Sequence, residues 1–210
     1  MDFIQRKVDH DKVNDKINNN KIKISCGTFT DIGGGIENQD FVKVVNLPQD
    51  ILVVLCADGH GKSYGKFFSQ LTVEFMEGYL LENLTKDFKD YSIHDKRIFI
   101  KEMFNKNQEY LQESIVKKLI DQGYTVDLSN GYPIYSTNQS DWFLVSGGTT
   151  LSMIIYIDNK MYIINIGDSS GKLCFKDSIL SNRFLKYITD VSLDPQKSVT
   201  RELEVNASYG

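Results

Sequence analysis

The residues best suited to chemistry lie in a short glycine-rich turn that follows a run of apolar residues. Residues 51–68 read ILVVLCADGHGKSYGKFF, in which glycines separate Asp58, His60 and Lys62. A glycine turn between a buried strand and a helix is a common phosphate-handling site, because backbone N–H groups and helix N-termini attract anions. Two chemistries fit these residue types. The backbone could bind a nucleotide phosphate, or the aspartate could hold divalent metal ions.

The nucleotide interpretation depends on the end of the turn. Gly61, Lys62 and Ser63 match the last part of the P-loop pattern G-x-x-x-x-G-K-[ST]. However, Cys56 occupies the position of the first glycine, and Asp58 falls inside the phosphate-binding loop. Two like charges about 4 Å apart repel by about 4 kcal/mol at an effective dielectric constant of about 20. A nucleotide-binding P-loop-like protein therefore stays only as an alternative.

The same residue, Asp58, favours the metal interpretation. An aspartate at the end of a strand, followed by a glycine that exposes its carbonyl, offers the hard oxygen ligands that suit Mg²⁺ or Mn²⁺. The adjacent His60 could protonate a leaving oxygen. Taken alone, the D-G-H-G sequence also fits an ordinary Asp-Gly turn with a solvated histidine. Other positions in the chain have to decide between the two.

Composition indicates an ordinary globular protein. The chain has 210 residues, a formal charge of -4 and a hydrophobic content of 41%, which predicts one domain with a substantial core and does not favour nucleic-acid binding. Cys26, Cys56 and Cys174 form no CxxC pair and predict reduced, buried thiols. No apolar run is long enough to span a membrane, and the charged N-terminus lacks a signal-peptide core. These features predict a soluble, cytoplasmic protein.

Hydrophobic periodicity predicts strands, then helices, then strands, which is the α+β class. Residues 1–20 are charged and rich in Asn, and predict a mobile N-terminal arm before a domain covering residues 21–210. Helical spacing of apolar residues follows the turn and recurs over residues 93–121, where Ile98, Met103, Tyr110, Leu111, Ile115 and Leu119 form the predicted apolar stripe. The predicted strands are residues 21–30, 41–47 and 51–57 and a hairpin closed by Asp158 and Asn159, and residues 123–143 predict a polar loop.

Three motifs in a fixed order carry a resemblance. They are IENQD, LCADGHGK and the long stretch GGTTLSMIIYIDNKMYIINIGDSSGKLC, and the likeness around them extends over about residues 22–194. In this order they resemble the metal-dependent protein phosphatases of the PP2C family. The resemblance implies a β-sandwich flanked by helices (α-β-β-α), incomplete on its C-terminal side. It also implies hydrolysis of phosphoserine and phosphothreonine in phosphoprotein substrates by a metal-activated water.

The same resemblance implies roles for individual residues. Asp58 matches the aspartate that bridges two Mg²⁺ or Mn²⁺ ions, and Gly59 matches the glycine that adds its carbonyl. Asp40 matches one member of an early acidic pair, and Asp168 matches the aspartate of the GDS motif, which serves an additional metal. His60 matches the general acid.

The chain also departs from the family pattern. Gln39 is neutral where the family has the acidic residue that precedes Asp40, and Ser170 replaces the arginine of the GDSR motif. Lys62 replaces a glycine and could bind the substrate phosphate in place of a missing arginine, or it could be a solvated surface lysine. Two later metal-binding aspartates of the family have no counterpart, so we expect a weak metal site. The alternatives are a pseudophosphatase that acts as a binding module, a fragment, or an enzyme that a second chain completes.

Overall fold

The computed structural model describes residues 24–32, 36–128 and 131–169, and the strand at residues 199–204. The predicted N-terminal arm, residues 1–20, lies outside the described residues, and so do Ser170 and Cys174. The described part is a mixed α+β structure with antiparallel sheets and helices, which confirms the predicted fold class.

One large antiparallel sheet organises the molecule. Its strand order is β1-β2-β7-β8-β9, and the short strand β6 also pairs with the end of β2. The strands are β1 (Asp40–Leu47), β2 (Ile51–His60), β6 (Gly148–Thr149), β7 (Leu151–Ile157), β8 (Lys160–Ile166) and β9 (Val199–Glu204). Asp158 and Asn159 close the β7–β8 hairpin as predicted, with φ values of 47° and 65° that suit a tight two-residue turn.

The strand β2 has one buried face and one open face. Its burial alternates residue by residue, so Val53, Leu55 and Ala57 are buried whereas Cys56 and Asp58 are exposed. This is the period of two expected for a strand, because successive side chains point to opposite sides of the sheet. The prediction of a buried thiol is wrong for Cys56, since alternation puts it on the same face as Asp58.

Two helices cover the buried face of the sheet. Helix α1 spans Gly65–Asn83 and helix α2 spans Ile93–Asp121, joined by a 3₁₀ turn at Lys86–Asp90. Ser92 caps α2 by accepting a hydrogen bond from the N–H of Asp95 at 3.1 Å. The predicted helix over residues 93–121 is therefore confirmed. Two members of its predicted apolar stripe, Ile98 and Tyr110, are exposed, although the ring of Tyr110 stacks on Phe75 of α1 at a centroid distance of 5.3 Å.

The predicted polar loop contains a second small sheet. Strands β3 (Thr125–Asp127), β4 (Ile134–Ser136) and β5 (Phe143–Leu144) form it in that order. It packs on α1 and α2 through a second core cluster, whose members include Leu111, Ile115, Leu119, Tyr124, Val126, Tyr135 and Val145. The loop prediction missed these strands because each has only two or three residues, too few to display a period.

A strand predicted at residues 21–30 is not formed in the part that the structure describes. Residues 24–30 have no regular secondary structure. Alternation of apolar and polar residues favours a strand only where a neighbouring strand can pair with it.

None of the described α-helices is long and apolar enough to cross a bilayer.

Candidate active site

Two carboxyl groups meet where β1 begins and β2 ends. Asp40 and Asp58 are directly opposite each other in the antiparallel register. Loss of solvation raises the pKa of Asp58, and the negative charge of Asp40 together with a hydrogen bond to its side chain raises that pKa further. The charge of Asp168 acts in the same direction, whereas His60 lowers the pKa of Asp58. The fold therefore brings these four predicted site residues within electrostatic reach of one another.

The backbone of Asp58 is held by the threonines that begin the β7 hairpin. The N–H of Asp58 donates to Oγ1 of Thr150 at 3.2 Å, and the N–H of Thr150 donates to the carbonyl of Asp58 at 2.9 Å. Oγ1 of Thr149 donates to that same carbonyl at 3.0 Å. The hydroxyl of Thr150 also lies 2.7 Å from the hydroxyl of Ser169, which follows Asp168. The GGTT motif thus ties the loop of Asp168 to the end of β2.

Close backbone packing explains the glycine that follows Asp58. The N–H of Gly59 donates to the carbonyl of Gln39 at 3.2 Å. A Cβ at Gly59 would lie 2.6 Å from that carbonyl oxygen and would also meet the backbone of Gly65, where α1 begins. Only glycine fits between β1 and the start of the helix. The role of its carbonyl as a metal ligand remains a prediction.

The imidazole of His60 lies over a glycine of the neighbouring strand. His60 and Gly148 are directly opposite each other in the β2–β6 pairing. A Cβ at Gly148 would lie 2.7 Å from Nε2 of His60, so a larger residue there would displace the ring. His60 is exposed, and its position two residues after Asp58 puts the two side chains on the same face of β2.

Gln39 has a structural role that sequence comparison with the family did not suggest. Its Nε2 donates to the carbonyl of Gly61 at 2.9 Å and so braces the turn between β2 and α1. A carboxylate cannot donate this hydrogen bond. Ser69 adds to the brace by donating to the carbonyl of Gln39 at 2.5 Å. Neither contact has a local sequence signal, because the partners lie in different elements.

The structure does not form a P-loop. Cys56 to His60 belong to β2, so only residues 61–64 remain for the turn that precedes α1. A phosphate-cradling loop needs the whole stretch from the first glycine position onward to leave the strand. Lys62 is exposed in this short turn, and its binding of substrate phosphate remains a prediction.

The carboxyl pair fits a divalent cation in part. The carboxyl groups of Asp40 and Asp58 are close enough that each raises the cost of the other's charge, which favours a proton on Asp58. A divalent cation could take the place of that proton. Among the residues that the structure describes, no group of three or more His, Cys, Asp or Glu side chains is arranged to hold a metal ion. About six oxygens surround Mg²⁺, so most positions at this pair would fall to water or to backbone carbonyls.

Comparison with known proteins matches most of the chain to one protein family. The family profile described as protein phosphatase 2C matches residues 30–183. The mitochondrial protein phosphatase 1K of Xenopus laevis is 26% identical over 157 residues, which cover 74% of this chain and 33% of that protein. The chain thus spans about a third of the length of this curated relative.

Solved structures give the same result at the level of the fold. Crystal structures of two variants of a bacterial serine phosphatase superpose with TM-scores of 0.57 and 0.54, at sequence identities of 14% and 16%. Each match covers 85% of this chain and 70% of the bacterial one. At such low identity the likeness concerns the fold alone.

Proposed function

Since the chain belongs to the protein phosphatase 2C family, we propose that it hydrolyses phosphoserine and phosphothreonine in proteins and requires Mg²⁺ or Mn²⁺. The observation that carries this proposal is the carboxyl pair of Asp40 and Asp58. Placing two negative charges side by side is unfavourable unless a proton or a cation lies between them. When bound, the cation supplies a Lewis acid that offsets the negative charge of phosphoryl transfer.

The residues around the pair have separate tasks in this proposal. Asp58 and Asp40 hold the cation, and Asp168 and the carbonyl of Gly59 complete or extend the ligand set. Two hydrogen bonds keep the backbone of Asp58 in place: its N–H donates to Oγ1 of Thr150, and its carbonyl accepts from the N–H of Thr150. These contacts matter because a misplacement of about 1 Å can lower a rate by about 100-fold.

His60 is the proposed general acid. A serine or threonine alkoxide is a poor leaving group, so a proton donated to its oxygen lowers the barrier. The imidazole is on the same exposed face of β2 as Asp58, and its position over Gly148 leaves one side open to substrate. Lys62 is the proposed cation for the substrate phosphate, since it is exposed at the turn that follows His60.

The test is a metal-dependent phosphatase assay on a single substitution. Purified protein is assayed with p-nitrophenyl phosphate and with a phosphothreonine peptide, each with Mn²⁺ and with a chelator. We expect hydrolysis only with Mn²⁺ and a loss of at least about 100-fold in kcat for Asp58→Asn. Asp90→Asn removes a matched carboxylate in the exposed 3₁₀ turn and serves as the control. Equal activity of Asp58→Asn and the control would overturn the proposal.

A catalytically inactive binding module is the second candidate. It is favoured by the small ligand set, since no group of three or more acidic, His or Cys side chains in the described ranges is arranged for a metal. Calorimetric titration with Mn²⁺ separates the two functions. Binding that Asp58→Asn abolishes supports the phosphatase, and no heat at millimolar Mn²⁺ supports the binding module. Binding that appears only in a complex with another polypeptide would indicate that a second chain completes the site.

A further inference from the structure

An exposed strand edge lies a few residues before the strand that pairs with His60. In the small sheet β3-β4-β5, strand β5 is at one end, and no described strand pairs with its outer side. The residues of this edge are large and apolar, with exposed fractions of 40% for Trp142, 53% for Phe143 and 63% for Leu144. An edge strand with exposed apolar side chains is a place where another extended chain can add.

Hydrogen-bond directions show which backbone groups are available. The N–H of Val145 donates inward to the carbonyl of Pro133 on the β4 side, at 3.2 Å. Backbone groups of successive strand residues point to alternate sides. The N–H and C=O of Leu144 therefore point away from β4, toward the open edge. Leu144 thus offers one donor, one acceptor and an exposed apolar side chain together.

The edge is joined to the catalytic face by a short connection. Only residues 145–147 separate β5 from β6, whose Gly148 and Thr149 pair with His60 and Gly59. Four residue steps of extended chain cover at most about 14 Å. A peptide lying along β5 would consequently reach the face of Asp58 and His60 within about four of its own residues.

We propose that β5 is a docking edge for phosphoprotein substrates. An extended segment of the substrate adds to the small sheet as a further strand and exchanges main-chain hydrogen bonds with Leu144. A large apolar residue of the substrate, about four positions from the phosphorylated residue, packs against Trp142 and Leu144. This inference rests on the proposed phosphatase function and adds a preference for extended segments with an apolar anchor.

The short connection between β5 and the catalytic face indicates which partner binds at this edge. A substrate that docks here has two requirements: it must be extended to pair with the outward backbone groups of Leu144, and it must reach His60, which the three-residue connection to β6 allows. A phosphorylated segment of an unfolded substrate region meets both requirements. Pairing of β5 with a second copy of this chain meets only the first.

Paired substitutions at one position separate the backbone contribution from that of the side chain. Leu144→Ala removes apolar surface, and Leu144→Pro also removes the outward N–H while leaving the hydrogen bond from Val145 to β4 possible. Leu81→Ala, at an exposed leucine of α1, is the matched control for loss of apolar area. The probes are two phosphothreonine peptides with leucine four positions before or after the phosphothreonine, and p-nitrophenyl phosphate.

The measured quantity is the kcat/KM for the better peptide divided by the kcat/KM for p-nitrophenyl phosphate. We expect this ratio to fall in both Leu144→Ala and Leu144→Pro. For Leu144→Pro the fall should be about five- to tenfold, the size expected from one lost hydrogen bond, and it should exceed that of Leu144→Ala. Leu81→Ala should keep the wild-type ratio. An unchanged ratio in Leu144→Pro would overturn the docking proposal while leaving the phosphatase function intact.

A binding measurement keeps the test independent of turnover. Trp142 is the only tryptophan of the chain, so its fluorescence reports directly on occupancy of the edge. We expect a saturable change with the phosphothreonine peptides that weakens in Leu144→Pro. Absence of all hydrolysis would reject the proposed function, and the titration would still decide about docking. No fluorescence change, or a dimer in sedimentation that Leu144→Pro dissociates, would overturn the substrate-docking inference.

Discussion

Asp40 and Asp58 lie directly opposite each other on adjacent antiparallel strands, and loss of solvation and the negative charge of Asp40 raise the pKa of Asp58. In a sheet, directly opposite side chains on one face are only about 5 Å apart at Cβ, and like charges in such pairs are destabilising. The arrangement favours either a retained proton or a bound cation. The same pair therefore links the stability of the protein to its proposed activity.

The first prediction concerns the pH dependence of stability without metal. Because the folded state raises the pKa of Asp58 above its ordinary value of about 4, the folded protein holds this proton more tightly than the unfolded chain does. The stability from Asp58 is present below about pH 4 and is lost as pH rises through the raised pKa. We expect Asp58→Asn to abolish this loss and to increase Tm at neutral pH.

Thermal melts in a chelator from acid to neutral pH measure this effect. The informative quantity is the difference in Tm between Asp58→Asn and the parent protein, which should grow with pH. Asp90→Asn, in the exposed 3₁₀ turn, should show no such growth. A difference that stays constant over the whole range would contradict the raised pKa of Asp58.

The second prediction concerns Gln39. Gln39→Glu replaces the Nε2 donor to the carbonyl of Gly61 with a carboxylate oxygen, which repels that carbonyl. We expect the free energy of unfolding to fall by about 1–3 kcal/mol at neutral pH, as for a partly buried acceptor that loses its donor. Urea unfolding measures it. Gln112→Glu, which loses an exposed bond of the same type to Gly131, should change stability by no more than about 0.5 kcal/mol.

The third prediction tests the turn beside His60. Gly61 has a φ of +103°, and a Cβ there would lie 2.5 Å from the Cα of Gly147. We expect Gly61→Ala to destabilise the protein by about 1–3 kcal/mol through backbone strain and this clash. Gly78→Ala provides a control in the interior of α1, where a Cβ meets open space, and should stabilise by about 0.5–1 kcal/mol. Equal unfolding midpoints for the two variants would show that the turn tolerates a side chain.

The helix over residues 93–121 and the β7–β8 hairpin were correctly predicted because their signals lie within a few residues. The helix over residues 93–121 has its own cap and apolar period, and the hairpin at Asp158 and Asn159 has the turn residues that its geometry requires. The alternation of buried and exposed residues along β2 could be predicted from the sequence only in part. The run from 51 to 57 is almost entirely apolar, so the exposed face that carries Cys56 could not be told from the buried one.

By itself, the sequence determined the family motifs, the α+β class and the identity of the residues available for chemistry, because these depend on residue types and short spacings. Tertiary structure alone decided which of them meet. Gln39 braces Gly61 across 22 positions, and Thr150 holds Asp58 across 92 positions. It also decided that residues 24–30 stay out of a sheet and that no described strand pairs with the outer side of β5. Such contacts depend on strand pairing between distant segments, and local propensity carries no information about which strand will be the neighbour.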